Sequence, residues 1–272
     1  MKKVLGIALG AGILLSACGS NGSPAAKEEN VKFGEIMNKG EQISYKVKNY
    51  DGEQAPTKNS EIKYIIKTNN GKVTAYNVQD EIELKDIKDK SDKEIIDLAK
   101  KQDKKYMLNA KDETIGKIKD NIKSIKDYGD LDELDKDHKE RYTEKLNEDE
   151  KMLKELNNYK YSEPKERKLK IKAIEDGTGN YTDEERFFIV PHDIEMSETG
   201  KAYNDYANTY TQFDSGAGTM KIYDTNYAFL ERTEENSEDE QYFLVTPVSK
   251  KTEFSKLDKP NSKYVKAVDE DE

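Results

Sequence analysis

Apolar side chains change their spacing twice along this chain, and those two changes constrain the fold more than any other feature. From Glu41 to Tyr50 they alternate, with Ile43, Tyr45 and Val47 at every second position. Alternation of this kind turns one face of a strand toward a core. The segments Glu61 to Thr68 and Lys72 to Val78 flank Asn69-Asn70-Gly71, whose residues readily take positive φ, so a β-hairpin is expected. A short run, Glu81-Ile82-Glu83-Leu84, is able to extend the sheet.

The period then becomes helical. Ser91 and Glu94 form a capping box ahead of Ile95, Ile96, Leu98 and Ala99. Leu108, Ile115, Ile118, Ile122 and Ile125 keep helical spacing, interrupted by Gly116, and Gly129 marks a turn. From Leu131 to Asn157 a narrow stripe of Leu131, Leu134, Tyr142, Leu146, Leu153 and Leu156 runs through charged residues. Two stripes joined by a short turn predict an antiparallel helical hairpin, either a layer over the N-terminal sheet or a docking arm.

Strand character returns at Leu169, Ile171 and Ala173, turns at Asp176 to Asn180, and comes back through Arg186 to Val190. A helix is expected from about Ser197 to Phe213, then strands from Thr219 to Glu231 and Gln241 to Val248 around an acidic loop, Glu234 to Glu240. Strands and helices fall in blocks, which indicates α+β rather than a parallel α/β sheet. The expected architecture is an antiparallel sheet built from hairpins, with a long charged helical insertion (about 91–158) between its two strand groups.

The first residues carry an address. Lys2 and Lys3 precede an apolar run from Val4 to Leu15, too short to span a bilayer, which needs roughly 17–25 helical residues. This is the pattern of a signal peptide. It ends Leu15-Ser16-Ala17-Cys18, which resembles the lipobox of bacterial lipoproteins. The resemblance implies that residues 1–17 are removed, that a diacylglycerol is joined to the Cys18 sulfur, and that the freed amine is open to acylation, for example by palmitate. Two or more acyl chains, at about 0.8 kcal/mol per buried methylene, make such attachment durable. Residues 18–30, beginning Gly19-Ser20-Asn21-Gly22-Ser23-Pro24, read as the lipidated terminus and a flexible tether. The folded region is then expected over 31–255 and a polar, frayed tail over 256–272.

Composition narrows the chemistry. Without Lys2 and Lys3 the 46 basic residues become 44 against 56 acidic ones, a net charge of −12. Lysines and acids are interleaved, as in Lys85 to Lys93, so the basic stripe that nucleic-acid binding requires is absent. Cys18 is the only cysteine, which leaves the mature chain without a disulfide, a thiolate nucleophile or a zinc-thiolate site. The whole chain resembles the lysine-rich lipoproteins of Gram-positive bacteria, which implies location on the outer face of the cell membrane and no particular activity.

Catalytic and metal templates fail one by one. Pro191-His192-Asp193-Ile194-Glu195 gathers an imidazole and two carboxylates, but the other histidine, His138, lies in a charged helix. Little change in metal content or stability is therefore expected of His192→Ala. Neither acidic stretch tested, from Asp130 or from Asp224, fits the calcium loop. Gly-x-Ser-x-Gly is missing, and Ser-x-x-Lys occurs twice, at Ser60 and Ser162, as often as chance provides in so lysine-rich a chain. No catalytic residue, cofactor or metal site is assigned.

One aromatic set stands out. Tyr203, Tyr206, Tyr210 and Phe213 are spaced 3, 4 and 3, so a helix would present all four on one face. That face either packs on the sheet or walls a ligand groove. The expected function is a nonenzymatic, membrane-anchored, extracytoplasmic binding or interaction module. Its partners are the membrane, through lipid on Cys18, and a protein, cell-wall or small-molecule ligand, with no nucleic acid. The alternatives are a solute-binding lipoprotein of a transporter and a cell-envelope enzyme or metal protein around His192, Asp193 and Glu195.

Overall fold

A computed structural model of the chain describes residues 22–50, 53–127, 135–196, 202–205, 209–214, 216–232 and 240–268. The signal segment with Cys18, Gly129, Leu131, Leu134, Tyr206, the loop 233–239 and the acidic end 269–272 lie outside them. After a 3-10 turn, Pro24–Lys27, come β1 (Asn30–Lys32), α1 (Phe33–Asn38), β2 (Glu41–Asn49), β3 (Glu61–Asn69), β4 (Lys72–Asn77), α2 (Leu84–Ile87), α3 (Asp92–Asp127) and α4 (Lys136–Asn158). The second half is stranded: β5 (Arg167–Lys168), β6 (Ile171–Glu175), β7 (Thr182–Phe187), β8 (Asp193–Met196), β9 (Ala202–Asp205), β10 (Thr211–Phe213), β11 (Ala217–Ile222), β12 (Thr225–Arg232), β13 (Gln241–Val248), β14 (Phe254–Lys256) and β15 (Lys266–Val268). The class is α+β, with a long helix between the strand groups.

A seven-stranded antiparallel sheet, ordered β11-β12-β13-β2-β3-β4-β5, forms the middle layer. Its helical side buries Ile43, Tyr45, Val47, Ile62, Ile65, Phe243 and Val245 under Ile87, Ile95 and Ala99. Its other side packs Ile66, Val73, Ala228, Leu230 and Leu244 against Leu169, in the link from β5 to β6, and against Ile171, Phe187 and Phe213 of a four-stranded sheet, β10-β7-β6-β15. The β3 register shifts opposite Lys46 and Val47. That bulge absorbs Lys63 and lets Ile62 and Ile65, three residues apart, both reach the helical side.

The turn between β3 and β4 forms as expected, with Asn70 at φ 48° and Gly71 at φ 79°, the two left-handed residues of a tight hairpin. The Ser91 box also forms: the Ser91 N–H donates to Glu94 Oε2 at 2.8 Å. Gly116 does not interrupt the helix, and α3 is one rod of 36 residues, about 54 Å long. Its first half buries Ile95 and Ala99 on the sheet, while Ile115 and Ile118 pack with Leu156 of α4 and Ile125 faces a space shared with Tyr142 and Lys145. Among the described residues of α4 only Asp149 and Leu156 are buried. The insertion is thus a cover at one end and a projecting hairpin at the other.

Four expectations need correction. Glu81 to Leu84 gives one isolated bridge, Glu61 to Glu83, before α2 begins, because a Glu83–Asp86 capping box starts a helix there. The stretch expected as helix over 197–213 holds strands β9 and β10 where it is described. Residues 23–30 are no free tether: Ala25 and Ala26 enter the core, and Ser23 is fully buried with its N–H on Gln42 Oε1 at 3.0 Å. Small alanines pack at little entropic cost, and the Ser249 N–H and the Thr252 hydroxyl satisfy the carbonyls of Ala26 and Glu28.

The tail likewise folds. β14 runs parallel to β1 and β15 parallel to β6, with Val265 and Val268 buried. Asp258 fastens this strap: its N–H donates to Glu185 Oε1 at 2.6 Å, and its Oδ2 accepts from the Gly34 N–H at 2.8 Å. A Cβ at Gly34 would lie 2.6 Å from that oxygen, so the approach depends on glycine. Glu185 Oε2 is buried with no hydrogen-bond partner.

Burial, reinforced by the neighbouring Asp258 charge, holds the Glu185 carboxyl well above its ordinary range. Burial also raises Asp258, against the opposing pull of the Gly34 N–H and the Lys32 charge, with Glu35 adding to the rise. The unfolded chain releases these protons near 4.5 and 3.8, whereas the folded chain retains them. The native state therefore binds more protons, and stability falls as pH climbs above those values. We expect the urea midpoint to fall as pH rises above about 5, and Glu185→Gln, whose amide keeps a donor in place, to flatten that slope and raise the midpoint on the alkaline side. Equal slopes in the two proteins would clear the carboxyl pair of responsibility.

Candidate functional site

Two places gather polar groups around a defined space. The first is a pocket of about 300 Å³ where the 3-10 turn, the sheet and the corner between α2 and α3 meet. Its position follows from the local elements. The Ser23 clamp on Gln42 fixes one wall, at Gly22, Ser23 and Ala26. The Glu83–Asp86 and Ser91–Glu94 boxes place α2 and the start of α3 opposite it. Ile43, Tyr45 and Tyr227 from the sheet and Ile87 and Ile95 from the helices make an apolar floor.

The mouth is charged. Lys27, Lys88, Lys90, Glu41 and Asp92 surround it. Glu41 is held by Lys67 at 2.5 Å, and the Lys88 ammonium sits 4.7 Å over the Tyr223 ring. Desolvation against the pocket wall, with the Glu41 charge adding to it, raises the Asp92 carboxyl above its ordinary value. Among the described residues neither Lys27 nor Lys90 forms an ion pair, though the Lys90 charge acts on the Glu94 carboxylate. An apolar slot rimmed by a few polar groups is the common form of a small-ligand site, which starts at roughly 300 Å³.

The second place is a sealed polar cluster. His192 and Asp103 are both fully buried, with Nε2 and Oδ2 2.9 Å apart. Asp103 also accepts from the Asn77 N–H at 2.9 Å and the Tyr161 hydroxyl at 2.9 Å. Asn204 Nδ2 lies 3.2 Å from His192 Nδ1, and Asn77 Nδ2 donates to the His192 carbonyl at 2.9 Å. Both ring nitrogens are engaged, Nε2 by Asp103 and Nδ1 by Asn204. Burial and the Asp103 charge push the Tyr161 hydroxyl upward, so it stays a donor. The cluster ties α3 to β4, to β9 and to the segment after α4.

Neither arrangement is the one read from sequence. Asp193 and Glu195 are exposed on β8, away from the imidazole, because alternate strand residues point outward. Asp103, the true partner of His192, stands 89 residues away and interrupts an apolar helix face, a weak signal among so many acids. The aromatic face is not formed. Tyr203 is exposed on β9; Tyr210 packs its ring on Phe188 and under the Arg186 guanidinium; Phe213 is fully buried against Phe187. Tyr206 and the lipid-attachment residue Cys18 lie outside the described residues. Among the described residues, no group of three or more His, Cys, Asp or Glu is placed to hold a metal, and no helix is long and apolar enough to cross a membrane.

No family model, curated protein or solved structure matches this chain.

The expectation that His192→Ala is harmless does not survive the geometry. Removing the imidazole takes a partner from a buried carboxylate, which costs about 2–4 kcal/mol. Chemical denaturation should show that loss for His192→Ala, and a smaller one for Asp103→Asn, whose amide is neutral. A change below about 0.5 kcal/mol for His192→Ala would show the cluster to be structurally idle.

Proposed function

We propose that the protein is a lipid-anchored binding protein of the outer membrane face, nonenzymatic, whose ligand occupies the pocket between the 3-10 turn and the α2–α3 corner. The observation that carries this reading is the pocket itself, an apolar floor of buried isoleucines and tyrosines below a rim that includes two lysines outside any ion pair among the described residues. The Asp103–His192 pair supports the same reading from the other side. It is closed to solvent and saturated with partners, so it works for the fold. The solute-receptor alternative gains less support, because β2-β3, β3-β4, β11-β12 and β12-β13 of the large sheet and β6-β7 of the smaller one are antiparallel neighbours consecutive in the chain, instead of parallel strands joined by strand-helix-strand units.

The lipobox supports the anchor, and the Ser23 clamp gives it a consequence. Only four peptide steps separate Cys18 from Gly22 on the pocket wall, a reach of at most about 14 Å. A lipid on Cys18 would thus keep the pocket close to the headgroups.

Two measurements test this function. Cys18→Ala should leave the detergent phase on partition or remain unprocessed, and a mature form still held by the membrane would refute the anchor. Protein extracted gently from its own membranes should carry a defined small-molecule mass in native mass spectrometry, and Ile95→Trp, which fills the slot, should lose it. Identical bare spectra for both proteins would refute pocket binding.

A further inference from the structure

We infer that the ligand of this pocket is a single-chain amphiphile with an anionic head, its tail on the apolar floor and its head between Lys27 and Lys90. This deepens the pocket reading and rests on it. The cavity, about 300 Å³, lies at the narrow end of ligand sites, which suits one alkyl chain better than a multi-ring compound. For the tail, Ile43, Ile87 and Ile95 supply methyl surface and Tyr45 and Tyr227 supply rings, while Gln42, Thr225 and Ser249 add polar groups to the lining.

Charge at the mouth decides the head. Of the five ionisable side chains there, Glu41 is neutralised by Lys67 at 2.5 Å. Lys88 is drawn toward Asp89 at 3.7 Å and over Tyr223 at 4.7 Å. Asp92 is the one rim acid left against Lys27 and Lys90, which form no ion pair among the described residues, so the rim keeps an excess of positive charge, eased at Lys90 by the Glu94 charge. A carboxylate or phosphate head would complete it, and a neutral head would leave that excess unmatched. The supply of such molecules is local if the chain is anchored, because the wall begins four residues after Cys18. Each methylene trimmed from the tail should weaken binding about fourfold.

The test uses the chain from Gly19 onward, which contains every described element, and measures binding of dodecanoate, dodecanol and a twelve-carbon lysophosphatidylglycerol by calorimetry below their micelle concentrations. Dodecanoate should bind saturably at one site, and dodecanol at least tenfold more weakly. Lys27→Glu with Lys90→Glu should weaken dodecanoate at least tenfold and leave dodecanol unchanged. The lysophospholipid arm identifies the source: tighter binding than dodecanoate points to membrane phosphates, weaker binding to free fatty acid, and both agree with an anionic head. Dodecanol binding as tightly as dodecanoate, or a dodecanoate affinity indifferent to the two lysines, would overturn the head assignment while the slot stands. Failure of all three probes to bind a folded protein, or binding that survives both Ile95→Trp and Thr225→Trp, would overturn the pocket reading itself. Circular dichroism on each variant separates a filled slot from an unfolded chain, and Thr225→Trp decides the matter if Ile95→Trp does not fold.

Discussion

Strand β2 is buried on both faces along its whole length after Glu41, and the rest of the architecture follows from having to cover it twice. Ile43, Tyr45 and Val47 need an apolar cover, which α2 and the first turns of α3 provide. Gln42, Ser44, Lys46 and Lys48 face the other way and need polar company. Gln42 and Ser44 find Thr246 at 2.8 and 3.1 Å, Lys46 lies between the rings of Tyr64 and Tyr242, and Lys48 meets Glu240 at 2.5 Å. A strand with one polar face can sit at the centre of a sandwich because each of these groups is matched.

The same economy of partners ties the periphery to the centre. Gln42 holds both Thr246 and the Ser23 N–H, so the first described residues are fastened to the middle of the sheet. Asp103 reaches Asn77, Tyr161 and His192 from three different parts of the chain, and Asp258 reaches Gly34 and Glu185. Each is an acid whose burial is tolerable only with several donors or a retained proton. In a chain with 38% charged residues, a few acids placed this way do work usually left to a larger apolar core.

How much of this could be read in advance depended on the range of the physics involved. The Asn70-Gly71 turn and the Ser91 box are local, requiring particular residues within four positions, and both were legible. So was the change of period that divides strands from helices. The 3, 4, 3 spacing of Tyr203, Tyr206, Tyr210 and Phe213 misled because spacing alone does not weigh the partner strand. Thr211 to Phe213 pairs with Glu185 to Phe187, and that pairing prevails over the helical period. The packed segments 23–30 and 256–268 looked like tether and tail because their polar backbone is satisfied from far away, by Gln42, Thr252, Glu185 and Lys172's strand. The pocket was not legible at all, since its floor draws on residues 43 to 227.

Pairing of β2 with β13 joins residues as far apart as Ser44 and Thr246, 202 positions along the chain. A ribosome makes β2 early, and one of its edges stays open until almost everything else has been synthesised. An open edge invites pairing with the wrong neighbour, and charged residues that point inward are a known deterrent. Lys46 and Lys48 can then be understood by when they act as well as where they sit. In the finished protein they stack on tyrosines; in the unfinished one they keep a waiting strand in water, at the price of a core that must later accommodate two ammonium groups.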